Sequence, residues 1–286
     1  DYPTYKKFLN SFWVGKEVKN FVKEIKPDMI LGMGGYASSE ICRAGGRDVC
    51  VIIQEQNSIA GRVNRFLIFF RKASAAIQGL PGSFSKLDRL MMKFSDDMRF
   101  LGNPIRKEIL DIKRDPPKAD QSKDLKIFIM GGSQGARSIN MSAPNALAAL
   151  NRTMNIKVVH DTGDHDYDEV NDAYKRLGID AKVSKFNPNV ESAYGWADLF
   201  IGRAGAMTVS ELSAIGLPSI LIPFPYAMDN HQLYNARFLE EKGGAVIIDD
   251  KNLTSEHLAD VIKDISKDRK ILKKMSESAF DVRFVH

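Results

Sequence analysis

The feature that most constrains this chain is a recurring unit: a short apolar run, a turn, then a helical pattern. Runs at 29–32, 49–53, 75–78, 98–101, 126–130, 156–160, 182–185, 199–201, 219–222 and 245–248 have strand length. Helical periodicity separates most of them, for example at 138–150, 208–215, 232–242 and 255–265. Parallel strands cannot be joined by a tight hairpin and need a crossover, usually a helix. Strand–helix alternation therefore predicts parallel α/β sheets.

The segment 113–124, KRDPPKADQSKD, is charged, carries two prolines and offers almost nothing to bury. It is the expected linker between an N-terminal domain, 1–112, and a C-terminal domain, 125–286. Each part contains the same motif. PDMILGMGGYASSE and LKIFIMGGSQGARS both run from strand through glycine turn into helix. Two Rossmann-like domains facing a cleft follow as the economical architecture. The net charge of +5 favours anionic partners without choosing among them. Cys42 and Cys50 match no zinc spacing. The longest apolar candidate, 66–70, falls far short of the roughly 18 residues of a membrane span.

Glycine turns are the places where such a fold admits a ligand. Gly131 and Gly132, then Ser133, Gln134 and Gly135, sit between a strand and a helix. Backbone approaches closely there, and a helix N-terminus offers free N–H groups and a positive dipole end, both suited to phosphate. A tight turn without a ligand is the other reading. Neither the dinucleotide fingerprint nor a Walker loop is present. Gly34 and Gly35 repeat the logic without a hydroxyl or charged donor.

The stretch 202–211, GRAGAMTVSE, is richer. Ala204, Gly205 and Ala206 keep the turn open, Thr208 falls in the first helical turn, and Glu211 follows one turn later. A carboxylate there can accept hydrogen bonds from both hydroxyls of a ribose. It can equally be a dipole-favoured helix-end acid or a capping partner of Thr208. Arg106 precedes the linker, where a cleft floor is expected. Gln232 opens a helix after Asp229, itself a candidate N-cap, and an amide there can read sugar hydroxyls. Glu55 and Asn57 end a strand of the first domain. His160 reads as a histidine satisfied by its neighbours. Asp164, Asp166 and Asp168 match DxD spacing but precede a helix, where capping and a solvated acidic turn explain them.

Together these segments resemble the MurG-type glycosyltransferases. The matching pieces are KPDMILGMGGYAS, EQNSIAGRVNR, LGNPIR, IMGGSQGARSIN, HDTG, WADLFIGRAGAMTVSELSAIGLPSILIPFP and DNHQLYNARFLEEKGGA, in family order. The resemblance implies a two-domain GT-B fold and transfer of N-acetylglucosamine from UDP-N-acetylglucosamine. The acceptor implied is the C4 hydroxyl of undecaprenyl-diphospho-N-acetylmuramoyl-pentapeptide, with inversion, in peptidoglycan synthesis. Carried over by motif, Ala206, Met207, Thr208, Val209, Ser210 and Glu211 line the UDP, with Glu211 on the ribose. Ser133 and Arg106 lie by the diphosphate, Gln232 by the N-acetylglucosamine, and Asn57 faces the donor from the first domain. Asn187 takes the uracil through its backbone, although the family often has an apolar residue there.

The resemblance also implies departures. MurG-type enzymes begin with a strand and a GGTGGH loop whose histidine is the usual candidate base. This chain starts after that region and ends before a C-terminal crossing helix. It reads as a fragment with an incomplete first domain, and no catalytic base is assigned. No metal or cofactor is expected, because a helix dipole and Arg106 can meet the developing charge. No nucleic-acid partner is expected either. A lipid-linked acceptor implies a peripheral place on the cytoplasmic face of the bacterial plasma membrane. Phe8, Leu9, Phe12 and Trp13 form a stripe beside Lys6 and Lys7 that suits shallow insertion into an anionic leaflet. Phe66–Phe70 is expected in the core. The alternatives are another GT-B enzyme acting on UDP-sugars and an inactive UDP-sugar-binding fragment.

Overall fold

The computed structural model describes residues 14–45, 49–70, 72–92, 98–114, 124–132 and 134–283. The chain divides into two compact units, one reaching Pro104 and the other running from Ile105 to Val285. All ten expected strands are present, and both sheets are wholly parallel.

The first unit holds α1 (Lys16–Ile25), β1 (Met29–Gly32), α2 (Gly35–Ala44), β2 (Cys50–Glu55), α3 (Arg62–Phe69), β3 (Ala75–Gln78), α4 (Lys86–Met92) and β4 (Met98–Phe100). Its strands lie in the order β1-β2-β3-β4. Lys26, left-handed at φ 47, ends α1 by returning its amide to the Val22 carbonyl. Pro27 then bars a further turn. The core gathers Ile30, Val51, Ile53 and Ala76 from the strands with Cys42, Leu67, Ile68 and Phe84. Burying Leu67 and Ile68 contributes about 1.5–3 kcal/mol each.

The expectation that the whole 66–70 run enters this core needs correction. Leu67 and Ile68 are buried, but Phe69 and Phe70 are exposed. A helix turns about 100° per residue, so five consecutive apolar side chains cannot share one inward face. The outer rings pack on one another, with Phe69 and Phe70 centroids 5.0 Å apart. The Phe8–Trp13 stripe lies outside the described residues.

The second unit opens with α5 (Lys107–Leu110) and β5 (Leu125–Met130), followed by α6 (Arg137–Leu150), β6 (Ile156–Asp161), α7 (Tyr167–Leu177) and β7 (Asp180–Ser184). Then come α8 (Val190–Trp196), β8 (Leu199–Gly202), α9 (Ala206–Ile215), β9 (Ser219–Leu221), α10 (His231–Glu240), β10 (Ala245–Ile247), α11 (Ser255–Ser266) and α12 (Arg269–Asp281). The sheet order is β10-β9-β8-β5-β6-β7. Chain direction across the sheet therefore reverses between β5 and β8. One sheet face sends Ile127, Ile129, Leu199, Ile201 and Ile220 into a core shared with α6, α7, α11 and α12. The other face carries Phe128 and Phe200, register partners on β5 and β8.

Residues 115–123, the centre of the expected linker, lie outside the described residues. Before them, Arg114 is fastened to the second unit. Its guanidinium donates to the Gly216 carbonyl at 2.7 Å and the Ala197 carbonyl at 2.8 Å. Burial lowers its pKa to about 10, with Asp198 opposing the shift.

Glycines let the strand-end loops touch. Gly135 has φ +75, and a Cβ there would lie 2.0 Å from the Thr162 carbonyl oxygen. The turn after β5 thus rests directly on the turn after β6. Gly135→Ala adds left-handed strain and a backbone clash. It is expected to cost about 2–4 kcal/mol in chemical denaturation. An unchanged denaturation midpoint would show that the two turns do not meet.

Candidate functional site

In an open parallel sheet, strand ends diverge on either side of a reversal point and leave a crevice there. A cavity of about 330 Å³ occupies that position in the second unit. Met130 and Gly132 contribute from the end of β5, Asp161 from the end of β6, and Lys185 to Pro188 from beyond β7. Arg106, Val190 of α8 and Glu211 of α9 complete the wall. A larger cavity of about 480 Å³ takes its walls from the middles of β6 and β7 and from Trp196. It contains no glycine turn, so the smaller cavity is the better candidate. Asn187 borders both.

Glu211 is the chemical centre of the smaller cavity. Its Oε2 accepts a hydrogen bond of 3.0 Å from the hydroxyl of the fully buried Tyr194. Burial pushes the Glu211 carboxyl above the ordinary carboxylate range, while the Tyr194 bond and the charge of Arg106 pull it back. Burial likewise raises Asp161, against the Ser184 hydrogen bond and the charge of Lys182. The Ser184 hydroxyl donates to Asp161 at 2.6 Å. Two partly desolvated acids and an arginine therefore share one cavity.

The helix that carries Glu211 begins beside a glycine turn. Gly205 is its N-cap and has no side chain to cap with, so Thr208 is not the N-cap and Glu211 is not its capping-box partner. Among the described residues no side chain bonds the first-turn amides, which are available to an anion. Gly202 makes the preceding strand end possible, since a Cβ there would lie 2.3 Å from the Met130 carbonyl oxygen.

The chain that carries these features, an anion-ready helix start and a carboxylate at the reversal point of a parallel sheet, is similar to known proteins. Residues 126–285 match the glycosyltransferase family 28 C-terminal domain, and residues 2–76 match the family's N-terminal domain. Over 264 residues the chain is 40% identical to a Coxiella burnetii protein, spanning 90% of this chain and 70% of that one. That protein is named UDP-N-acetylglucosamine–N-acetylmuramyl-(pentapeptide) pyrophosphoryl-undecaprenol N-acetylglucosamine transferase. A Tolumonas auensis protein of the same name is 38% identical over 282 residues, covering 95% and 75% of the two chains. The crystal structure of Acinetobacter baumannii MurG aligns with TM-score 0.80 at 28% identity, over 98% of this chain and 75% of that one.

The chain is a MurG-type member of glycosyltransferase family 28.

Its fold is GT-B, and a Staphylococcus aureus MnaA–UDP structure shares that fold at TM-score 0.63 and 14% identity, over 97% and 77% of the chains.

Within this glycosyltransferase the sequence-expected residues fall into distinct places. Arg106, Asn187 and Glu211 line the cavity together. The Asn187 Oδ1 accepts the Asn189 amide at 3.0 Å, which fixes the turn into α8. Met207 and Thr208 are half-buried at the helix start. Ala206, Val209 and Ser210 point inward, and the Ser210 hydroxyl donates to the Ala206 carbonyl at 2.9 Å. Gln232 accepts the Phe224 amide at 2.9 Å through Oε1, and its NH2 makes no hydrogen bond among the described residues. Asn235, one turn later, donates to the Ala204 carbonyl at 3.2 Å and ties α10 to the same glycine turn. Asp229 and Asn230 before α10 are both left-handed, at φ 52 and 54, and Asn230 is the residue at its N-cap. Ser133 lies outside the described residues.

Asn57 belongs to the first unit. Its backbone and side-chain nitrogens both donate to Glu55 Oε1, at 3.0 and 3.2 Å. Glu55 Oε2 takes the Gly61 amide at 2.8 Å and Asn64 at 2.9 Å, so this buried acid organises its own loop. His160 is fully buried between Tyr174 and Asn140, each 3.0 Å from a ring nitrogen. Burial lowers its pKa to about 3. Asp166 is engaged by Arg137 at 2.6 Å and Asn140 at 2.8 Å. Among the described residues, no group of three or more His, Cys, Asp or Glu side chains is placed to hold a metal ion.

Sequence reasoning missed Asp161, Lys185 and Tyr194. A polar residue closing a central strand, as Asp161 does in HDTG, was the available signal for the first.

A carboxylate whose folded pKa is raised costs stability while ionised, and that cost fades as pH falls through the folded value. Glu211→Gln is therefore expected to stabilise the protein at pH 8 by about 0.5–2 kcal/mol. The gap from wild type should close as pH falls toward the ordinary carboxylate range. Identical thermal unfolding of the two proteins at pH 8 would mean that Glu211 is not desolvated.

Proposed function

We propose that the chain transfers N-acetylglucosamine from UDP-N-acetylglucosamine to the C4 hydroxyl of a lipid-linked N-acetylmuramoyl-pentapeptide. The observation that carries the proposal is Glu211, a half-buried and oriented carboxylate, lining a cavity with Arg106 at the reversal point of the sheet. The names of the relatives that cover most of this chain supply the substrates.

In this reading Glu211 accepts hydrogen bonds from the ribose hydroxyls. Phe186 and Asn187 border the uracil, and Ser133, Arg106 and the first amides of α9 face the diphosphate. As the bond from C1 to the diphosphate breaks, negative charge gathers on the leaving UDP. A preorganised dipole and guanidinium stabilise that charge without reorganising. Gln232 offers its NH2 to the sugar. Binding holds the acceptor hydroxyl in line with C1, so that one displacement inverts the anomeric carbon. We assign no base for the acceptor proton to the described residues. Asn57 serves the donor from the first domain, and 113–124 joins that domain to the second. A lipid-linked acceptor brings the enzyme to a membrane surface, on the cytoplasmic face of the plasma membrane. The net charge of +5 suits an anionic leaflet.

Calorimetry with UDP, UDP-N-acetylglucosamine, UDP-glucose, ADP and NAD tests the donor site. UDP and UDP-N-acetylglucosamine should bind, and Glu211→Ala should weaken UDP about tenfold or more, the value of a charge-assisted hydrogen bond. Tight NAD binding without UDP binding would sink the proposal. Turnover of a lipid-linked muramoyl acceptor, but not of diacylglycerol or of UDP-sugar alone, separates it from other GT-B chemistries.

A further inference from the structure

We propose that Tyr194 is a positioning residue for donor recognition: its hydroxyl aims the Glu211 carboxylate so that the site selects a ribose with both hydroxyls present. The inference rests on the UDP-sugar reading above and assigns the selectivity of that site to a residue behind the cavity wall.

Tyr194 is fully buried in α8 and is not among the residues lining the cavity. Its ring is wedged edge-on against Phe128, with centroids 5.4 Å apart, and lies 6.0 Å from Phe200. Those two rings come from β5 and β8, the strands that flank the reversal point. The phenol is thus held against the two strands that flank the reversal point. A buried hydroxyl without a partner is costly, and this one donates to Glu211 Oε2 at 3.0 Å. Glu211 makes no other hydrogen bond among the described residues. Oε1 and the remaining lone pair of Oε2 are therefore available to the cavity.

The choice of donor has a chemical consequence. A lysine or arginine bonded to Glu211 would cancel its charge. A phenol fixes the carboxylate and leaves it an anion that only accepts. An acceptor-only group in a partly dry cavity favours a ligand that brings two hydroxyl donors. It penalises one that leaves the carboxylate unpaired. Burial already works against ionised Glu211, and the Tyr194 bond opposes that effect. Losing the phenol should therefore both free the side chain to swing and make it easier to protonate.

Tyr194→Phe removes one oxygen and keeps the ring that packs on Phe128 and Phe200. UDP and 2′,3′-dideoxy-UDP are titrated calorimetrically into the full chain, wild type and variant, from pH 6 to 8. The wild type should prefer UDP. Tyr194→Phe should weaken UDP about tenfold at pH 7.5 while changing dideoxy-UDP less than twofold. Its loss of UDP affinity on acidification should begin at higher pH than in the wild type. An equal loss on both ligands would show that Tyr194 only supports the fold and would overturn the proposal. A wild type that binds UDP and dideoxy-UDP alike would overturn the ribose reading of Glu211 itself, a distinct failure. Should Tyr194→Phe not fold, 4-fluorophenylalanine at position 194 decides by the same two titrations, since it keeps a para substituent on the ring and removes the donor to Glu211. Retained preference for UDP in that variant would refute the inference, and a selective loss of UDP affinity would support it.

Discussion

Parallel strands impose one constraint from which the rest of the second unit follows. Each must be re-entered from the same end, so every strand delivers its carboxyl terminus to one edge of the sheet. Each following helix starts at that edge with its positive dipole end. Where the sheet order reverses, between β5 and β8, neighbouring crossovers lie on opposite faces and leave room for a ligand. The cavity walls confirm the consequence, with Met130, Asp161 and Lys185 all at or just beyond strand ends. Close approach is then a matter of removing side chains. Gly135 and Gly202 both sit where a Cβ would collide with neighbouring backbone.

The same two helices that build the cavity wall are pinned at their C-termini. Arg114 donates to the carbonyls of Ala197, at the end of α8, and Gly216, at the end of α9. A guanidinium at two helix C-termini meets two negative dipole ends at once. At the ligand side, Tyr194 of α8 bonds Glu211 of α9. The pair is therefore tied at two points, and Glu211 keeps its direction although burial disfavours its charge. Stability is surrendered at the carboxylate and recovered in the helix packing, as is common where a protein must present a desolvated charge.

Much of this was legible in the sequence because it depends on local pattern. Strand length, the period-3.6 segments and the glycine turns report backbone geometry, and they located β1 through β10 and the turn that opens α9. Glu211 and Arg106 were readable because they flank those turns. Tyr194 was not, because its partner lies 17 residues away and their meeting depends on how α8 packs over Phe128 and Phe200. The run at 66–70 misled for a related reason. Its composition says apolar, but only the helix phase decides that Leu67 enters and Phe69 stays out. Asp161 looked like one polar letter in HDTG until β6 took its place beside β5.

Arg203 shows how packing decides among chemically equal candidates. It sits inside GRAG, beside the turn best suited to phosphate, and charge alone would nominate it as an anion ligand. Its guanidinium is instead committed to Asp250 at 2.5 Å, Ser138 at 3.1 Å and the Ile222 carbonyl at 3.1 Å. Ser138 in turn donates to the same Asp250 at 2.6 Å. The arginine cross-links β8, the start of α6 and the strand end after β9, and its charge is balanced within that cluster. Taking it for a diphosphate would leave a largely buried Asp250 unpaired, a cost of several kcal/mol. The positive character left for a ligand therefore comes from Arg106 and Lys185 in the cavity wall and from the first turn of α9.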